Sequence, residues 1–133
     1  MEKLEHIGIA VKSLSHSIPL FEALLNTSCY KEEFVESEAV KTAFFAVGSQ
    51  KIELLEDSDP EGIIAKFISK KGEGIHHIAF AVTDIVAEMK RLSSAGFVLL
   101  NESPHPGADN KLVCFLRPKT TNGILVELCM EKP

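Results

Sequence analysis

Residues 73–82 read EGIHHIAFAV and repeat the texture of LEHIGIAV at residues 4–11. A shift of 71 residues lays His6-Ile7-Gly8-Ile9-Ala10-Val11 over His77-Ile78-Ala79-Phe80-Ala81-Val82, two apolar, β-favouring runs that each open on an imidazole. The same shift sets Phe44-Phe45 over Phe115-Leu116. A second pair of phrases, KIELLE at 51–56 and ILVELC at 124–129, aligns Glu53 with Glu127 at a shift of 74. The three extra residues fall in the turn-rich RPKTTNG at 117–123, where insertions are tolerated. The chain therefore reads as two copies of one module.

Each copy predicts the same order of elements. After a strand at 6–11, Ser15 or Ser17 can cap a helix carrying Ile18, Phe21, Leu24 and Leu25 on one side, with Pro19 tolerated in or near its first turn. After a strand at 77–82, Asp84 can cap a helix with Ile85, Met89 and Leu92 at spacings of four and three, ended by Gly96. Three shorter strands follow in each half, near 30–36, 41–47 and 50–56, and near 97–102, 111–117 and 123–129. Between the copies, DSDPEGIIAKFISKKGEG predicts a connecting helix at 59–71, with a cap signal at Ser58 or Asp59. The fold class is α+β: two tandem βαβββ modules, about 4–56 and about 75–130, in a single domain spanning 1–133.

Composition bounds the function. At 133 residues with 45% hydrophobic and 25% charged, the chain is long enough for a real core and has no apolar run fit to span a bilayer. The opening MEKLEHIGIAV has no basic region or apolar signal core, so the expected location is the cytoplasm. A net charge of -5 argues against nucleic acid as partner. Cys29, Cys114 and Cys129 form no CxxC pair, which excludes a zinc ribbon and a disulfide scaffold and leaves reduced core thiols.

The polar residues that interrupt the strands carry the chemistry. Glu53 lies between Ile52 and Leu54, and Glu127 between Val126 and Leu128, so each carboxylate points away from its apolar neighbours. An enclosed carboxylate is costly unless paired or bound to a cation. Any one strand histidine or glutamate is ordinarily structural; recurrence in equivalent places of a repeat makes His6, Glu53, His77 and Glu127 a candidate metal set. Two imidazoles and two carboxylates suit cobalt, manganese, nickel or zinc, with positions left for water or substrate. Side-chain alternation allows only one of His76 and His77 to face the site, and the repeat selects His77; His76 then faces away. His16 and His105, the latter in SPHPGADN at 103–110, have no repeat partner and read as surface residues.

The phrases HIGIAV, IELLE, GEGIHHIAF, GAD and RPKTTNGILVEL together resemble the methylmalonyl-CoA epimerase family of the vicinal oxygen chelate superfamily, over the whole chain. That resemblance implies a cupped mixed sheet around the metal, a homodimer, and His6, Glu53, His77 and Glu127 as ligands, with glutamine in some members at the position of Glu53. It implies epimerisation of methylmalonyl-CoA at C2 through an enolate, in propionyl-CoA metabolism. Glu127 is then the candidate to double as ligand and base. Some members carry a glutamate on the middle strand of the first module where this chain has Thr42, a poor base; the second proton is left to metal-bound water, Glu38 or Glu127 acting on both faces. For CoA recognition, Lys119 in the matching PKTTNG loop is the first candidate. A lactoylglutathione lyase and a non-catalytic small-molecule-binding protein of the same fold are the alternatives.

Overall fold

The computed structural model describes residues 1–133 and divides into two compact units, His6–His76 and Met1–Glu5 with His77–Pro133. Strand β1, Lys3–Ala10, belongs to both; its first residues join the second unit, where the Glu2 N–H donates to the Ala81 carbonyl at 2.8 Å. The α+β class and the βαβββ order are as the repeat predicts.

In the first unit, β1 leads to α1 (Leu14–Leu25), β2 (Lys31–Val35), β3 (Val40–Val47), β4 (Gln50–Asp57) and α2 (Ile63–Lys71). The strand order is β2-β3-β4-β1, antiparallel except for the parallel β1–β4 pair. Alternation sends Val11, Ala43, Phe45 and Leu54 to one face, where α1 covers them with Leu14, Ile18, Phe21 and Leu25. Full burial of Phe45 and Leu54 contributes about 1.5–3 kcal/mol each.

Three local expectations are corrected here. The N-cap is Ser13, whose Oγ accepts from the His16 N–H at 3.3 Å, while Ser17 is buried inside the helix. Leu24 is 72% exposed, because it adjoins Leu25 and a helix turns about 100° per residue. Pro19 lies beyond the first turn; its missing donor would have served Ser15, and both residues are on the solvent side.

Helix α2 starts at Ile63 rather than 59. Its N-terminus is served from a distance: the Asp57 carboxylate at the end of β4 accepts from the Ala65 N–H at 2.6 Å. Asp57 fills the space beside Gly62, so a Cβ there would overlap its carboxylate. Ile64, with Phe67 and Ile68, packs on Ala10, Val40 and Leu55, the face of the sheet opposite α1.

In the second unit, β5 (Gly74–Ala81, within the unit from His77) is followed by α3 (Ile85–Ser94), β6 (His105–Pro106), β7 (Lys111–Leu116) and β8 (Val126–Glu131), in the order β5-β8-β7-β6. Asp84 caps α3, accepting from the Ala87 N–H at 3.1 Å, and Gly96 at φ +99° turns the chain out of it. Ile85, Met89 and Leu92 close on Val82, Cys114, Leu116 and Leu128.

The strand expected at 97–102 does not form. Leu99 makes an isolated bridge to Leu116, flanked by backbone bonds from Leu100 N to Phe115 O and from Arg117 N to Val98 O. The ladder stops there because the Phe115 N–H donates to the Asn101 side-chain oxygen at 2.9 Å instead of to a backbone carbonyl. The edge is taken up by β6, joined to β7 through Asp109 and Asn110, both at positive φ with Lys111 N–H bonded to Ala108 O, as a two-residue primed turn requires.

Candidate active site

The two units build the same arrangement separately. In the first, β1 supplies His6 and β4 supplies Glu53, with Nδ1 3.2 Å from Oε2 and both residues nearly inaccessible, at 4% and 3% exposure. In the second, β5 supplies His77 and β8 supplies Glu127, with Nε2 3.2 Å from Oε1 at 6% exposure each. Isolated ionised carboxylates at that depth are costly, and each has a paired imidazole within reach.

Strand register explains how each pair meets. Glu53 lies opposite Gly8 in the parallel β1–β4 pairing, and Glu127 lies opposite Ala79 in the parallel β5–β8 pairing. Each small residue follows its histidine by two, on the same face. A carboxylate beside a residue with little or no side chain has room to reach the imidazole one step along the strand. On its other side each glutamate faces a phenylalanine, Phe44 opposite Glu53 and Phe115 opposite Glu127. The small residue two places after each histidine is therefore part of the site, and the shift of 71 residues already displayed it as Gly8 over Ala79.

The surroundings of the two phenylalanines differ. Phe44 is fully buried, with Tyr30 against its edge at 6.0 Å and the Lys31 ammonium 4.5 Å from its ring centre. Phe115 is half-buried and receives two imidazoles, His77 edge-on at 5.9 Å and His105 tilted at 6.4 Å. His105, expected on the surface, is half-buried on β6 opposite Val113. Strand alternation had no purchase on it because β6 is only two residues long.

His76 faces away from His77, its ring against Phe67 at 5.0 Å. His16 is exposed on α1. Thr42 is buried on β3, on the same face as Phe44 and Glu53; Glu38 lies in the turn before β3. Lys119 is exposed in the short 3-10 turn at Pro118–Thr121. None of the three cysteines is in a disulfide; Cys114 and Cys129 are buried and Cys29 is half-buried. Burial, and secondarily the charge of Glu127, push the Cys114 thiol up to about 12. No helix is long and apolar enough to cross a membrane.

Two buried His–carboxylate pairs are donors of the kind that hold a divalent ion of borderline hardness, and their mixture of nitrogen and oxygen atoms excludes the thiolate-rich sites of structural zinc. Residues 5–115 match the Glyoxalase/Bleomycin resistance protein/Dioxygenase superfamily. The chain belongs to this superfamily. Among curated relatives, YqjC of Bacillus subtilis is 39% identical over 132 residues, covering 99% of this chain and 94% of its own. The ethylmalonyl-CoA/methylmalonyl-CoA epimerase of Cereibacter sphaeroides is 38% identical over 128 residues, covering 95% and 96%. Among solved structures, methylmalonyl-CoA epimerase from Mycobacterium tuberculosis superposes with a TM-score of 0.92 at 34% identity, over 98% of this chain and 88% of that one.

Proposed function

We propose that this chain is a metal-dependent epimerase that inverts C2 of methylmalonyl-CoA, with the two units acting as one catalytic domain and the protein working as a cytoplasmic homodimer in propionyl-CoA metabolism. The observation that carries the reading is the duplicated buried His–Glu pair, His6 with Glu53 and His77 with Glu127, in a chain whose near relatives include epimerases of this thioester. In this proposal the four residues hold one divalent ion. When bound, that ion would stabilise the charge that develops on the thioester oxygen as C2 loses its proton.

The chain's own groups do the rest. The C2 hydrogen lies between a thioester and a carboxylate, so its removal is that of a weak carbon acid, and a carboxylate placed against it serves as base. Glu127 is that base: it is buried, so no bulk water competes for its oxygens, and it lies beside His77 on the floor of the second unit. A proton is delivered to the opposite face of the planar carbon by Glu38 or by Glu127 acting on both faces. Thr42, on the face that carries Glu53, can orient substrate there but is too weak an acid to replace a carboxyl group. Lys119 is proposed to meet a phosphate of CoA, its exposed ammonium being free to do so in solvent.

The direct test is incubation of one C2 epimer with metal-loaded protein in heavy water. Racemisation with deuterium uptake at C2 is expected; retention of both configuration and hydrogen across the candidate metals contradicts the proposal.

A further inference from the structure

We propose that His105 is a specificity-determining residue that hydrogen-bonds the first amide of the thioester arm, so that the substrate leaves the reacting centre crosswise over Phe115 toward the β6 edge. This rests on the epimerase reading for the acyl part of the substrate and adds the path of the remainder.

The geometry is confined to the second unit. Glu127 on β8, Phe115 on β7 and His105 on β6 occupy three successive strands, and β6 is the edge of the order β5-β8-β7-β6. Phe115 is in register with Glu127; His105 is in register with Val113, two residues from Phe115 and on its face, and its ring leans back over the phenyl ring at 6.4 Å, tilted by 31°. Two strand spacings, about 10 Å, therefore separate the Glu127 backbone from that of His105.

In an acyl-CoA, a sulfur and an ethylene pair separate the thioester carbon from the first amide nitrogen, about 5 Å when extended. A thioester held beside His77 and Glu127 thus places its ethylene pair over the Phe115 ring and its first amide within reach of an imidazole leaning across that ring. The other polar groups of the acyl part, its carboxylate and thioester oxygens, belong to the metal end. What remains to be read at this distance is a neutral amide, to which a neutral imidazole can donate or from which it can accept.

The hairpin holds His105 firmly. Pro104 and Pro106 flank it, and Gly107 approaches Val113 so closely that a Cβ would lie 2.8 Å from its Cγ1. The primed turn at Asp109-Asn110 fixes the register. In the first unit the phenylalanine equivalent to Phe115 is sealed by Tyr30 and Lys31, so only the second unit keeps such a shelf open.

The test compares three methylmalonyl thioesters: CoA, N-acetylcysteamine, which ends just after the first amide, and propanethiol, which has no amide. Wild-type KM should rise about tenfold from the cysteamine to the propyl ester, with kcat changing little. His105→Phe should abolish that difference, and His105→Gln, which keeps a donor and an acceptor, should restore most of it. Equal KM values for the two short esters in the wild type, or a loss in His105→Phe that is the same for all three, overturn the proposal. Affinities from calorimetric titration of the same esters separate this idea from the one it rests on. A protein that favours the amide ester through His105 yet exchanges no C2 hydrogen contradicts only the epimerase reading. One that exchanges C2 without distinguishing the esters contradicts only the role of His105.

Discussion

The first and second units carry the same histidine–carboxylate pair and differ in what lies beyond it. In the first, the sheet face past the pair is covered: Ala10, Val40 and Leu55 are buried under Ile64 of α2, with Phe67 and Ile68 beside it. In the second, the residues that the repeat sets in those places are Ala81, Lys111 and Cys129, and they border a cavity of about 530 Å³ together with Glu5 and Glu131. Duplication has kept the donors and the small residue beside each carboxylate; the covering has diverged. The first copy's face is covered there by a helix, and the second copy's borders a cavity.

This contrast can be broken most sharply at the two carboxylates. Glu127→Gln is expected to lower turnover about a thousandfold even in excess metal, the range for loss of a positioned base. Glu53→Gln should lower it no more than about tenfold, because an amide oxygen can still serve as a ligand though not as a base. Steady-state kinetics at saturating metal decide it; equal losses would remove the division of labour between the units. The histidines should behave alike instead. His6→Ala and His77→Ala should each reduce metal content, from about one ion per chain, to a small fraction by elemental analysis after desalting, and full occupancy in both variants would end the proposed site.

Packing sharpens the same comparison. Leu55→Ala, on the face covered by α2, is expected to destabilise the protein by about 2–4 kcal/mol in urea denaturation. Lys111→Ala, on the corresponding face of the second unit in the place of Val40, should cost under about 1 kcal/mol, since its partners Glu131 and Asp109 are exposed or half-buried and regain solvent. A Lys111 variant as unstable as the Leu55 one would show that the second face is as closed as the first.

Cys114 gives a pH-dependent signature of the second unit. Its thiol is held up to about 12 in the folded chain against about 9 when unfolded. The folded state therefore keeps its proton where the unfolded state loses it. Stability is unaffected below about pH 9 and falls as pH rises from there toward 12. Cys114→Val should flatten that decline, and alkylation at pH 8 should reach Cys29 well before Cys114. A Cys114 as reactive as Cys29 would contradict the burial. The smallest effect is expected from Thr42→Ala, a loss of turnover of threefold or less; a severe loss would move the second proton transfer to that hydroxyl.

Much of this was legible in the residues. The repeat gave the element order and chose His77 over His76, of which strand alternation allowed only one to face the site; alternation also turned Glu53 and Glu127 away from the α1 and α3 faces. What escaped has physical causes. The cap at Ser13 competes with two nearby serines of equal propensity, and only the chain's entry into α1 chooses among them. The start of α2 is set by Asp57, a residue of the preceding strand, which local helix signals do not include. The strand expected at 97–102 is stopped by the side chain of Asn101 capturing a ladder donor, and His105 sits on a strand too short to show a period. Contacts from outside the local stretch placed the last three.

The most direct measurement is proton exchange at C2. Single-epimer methylmalonyl-CoA incubated in heavy water with wild-type protein loaded with cobalt, manganese, nickel or zinc should lose its configuration and gain deuterium at C2, stop on chelation, and resume when metal is returned. A thioester that keeps its hydrogen and its configuration with every one of those ions, while the protein remains folded and metal-bound, would contradict the assignment of the twin His–Glu pairs to this reaction.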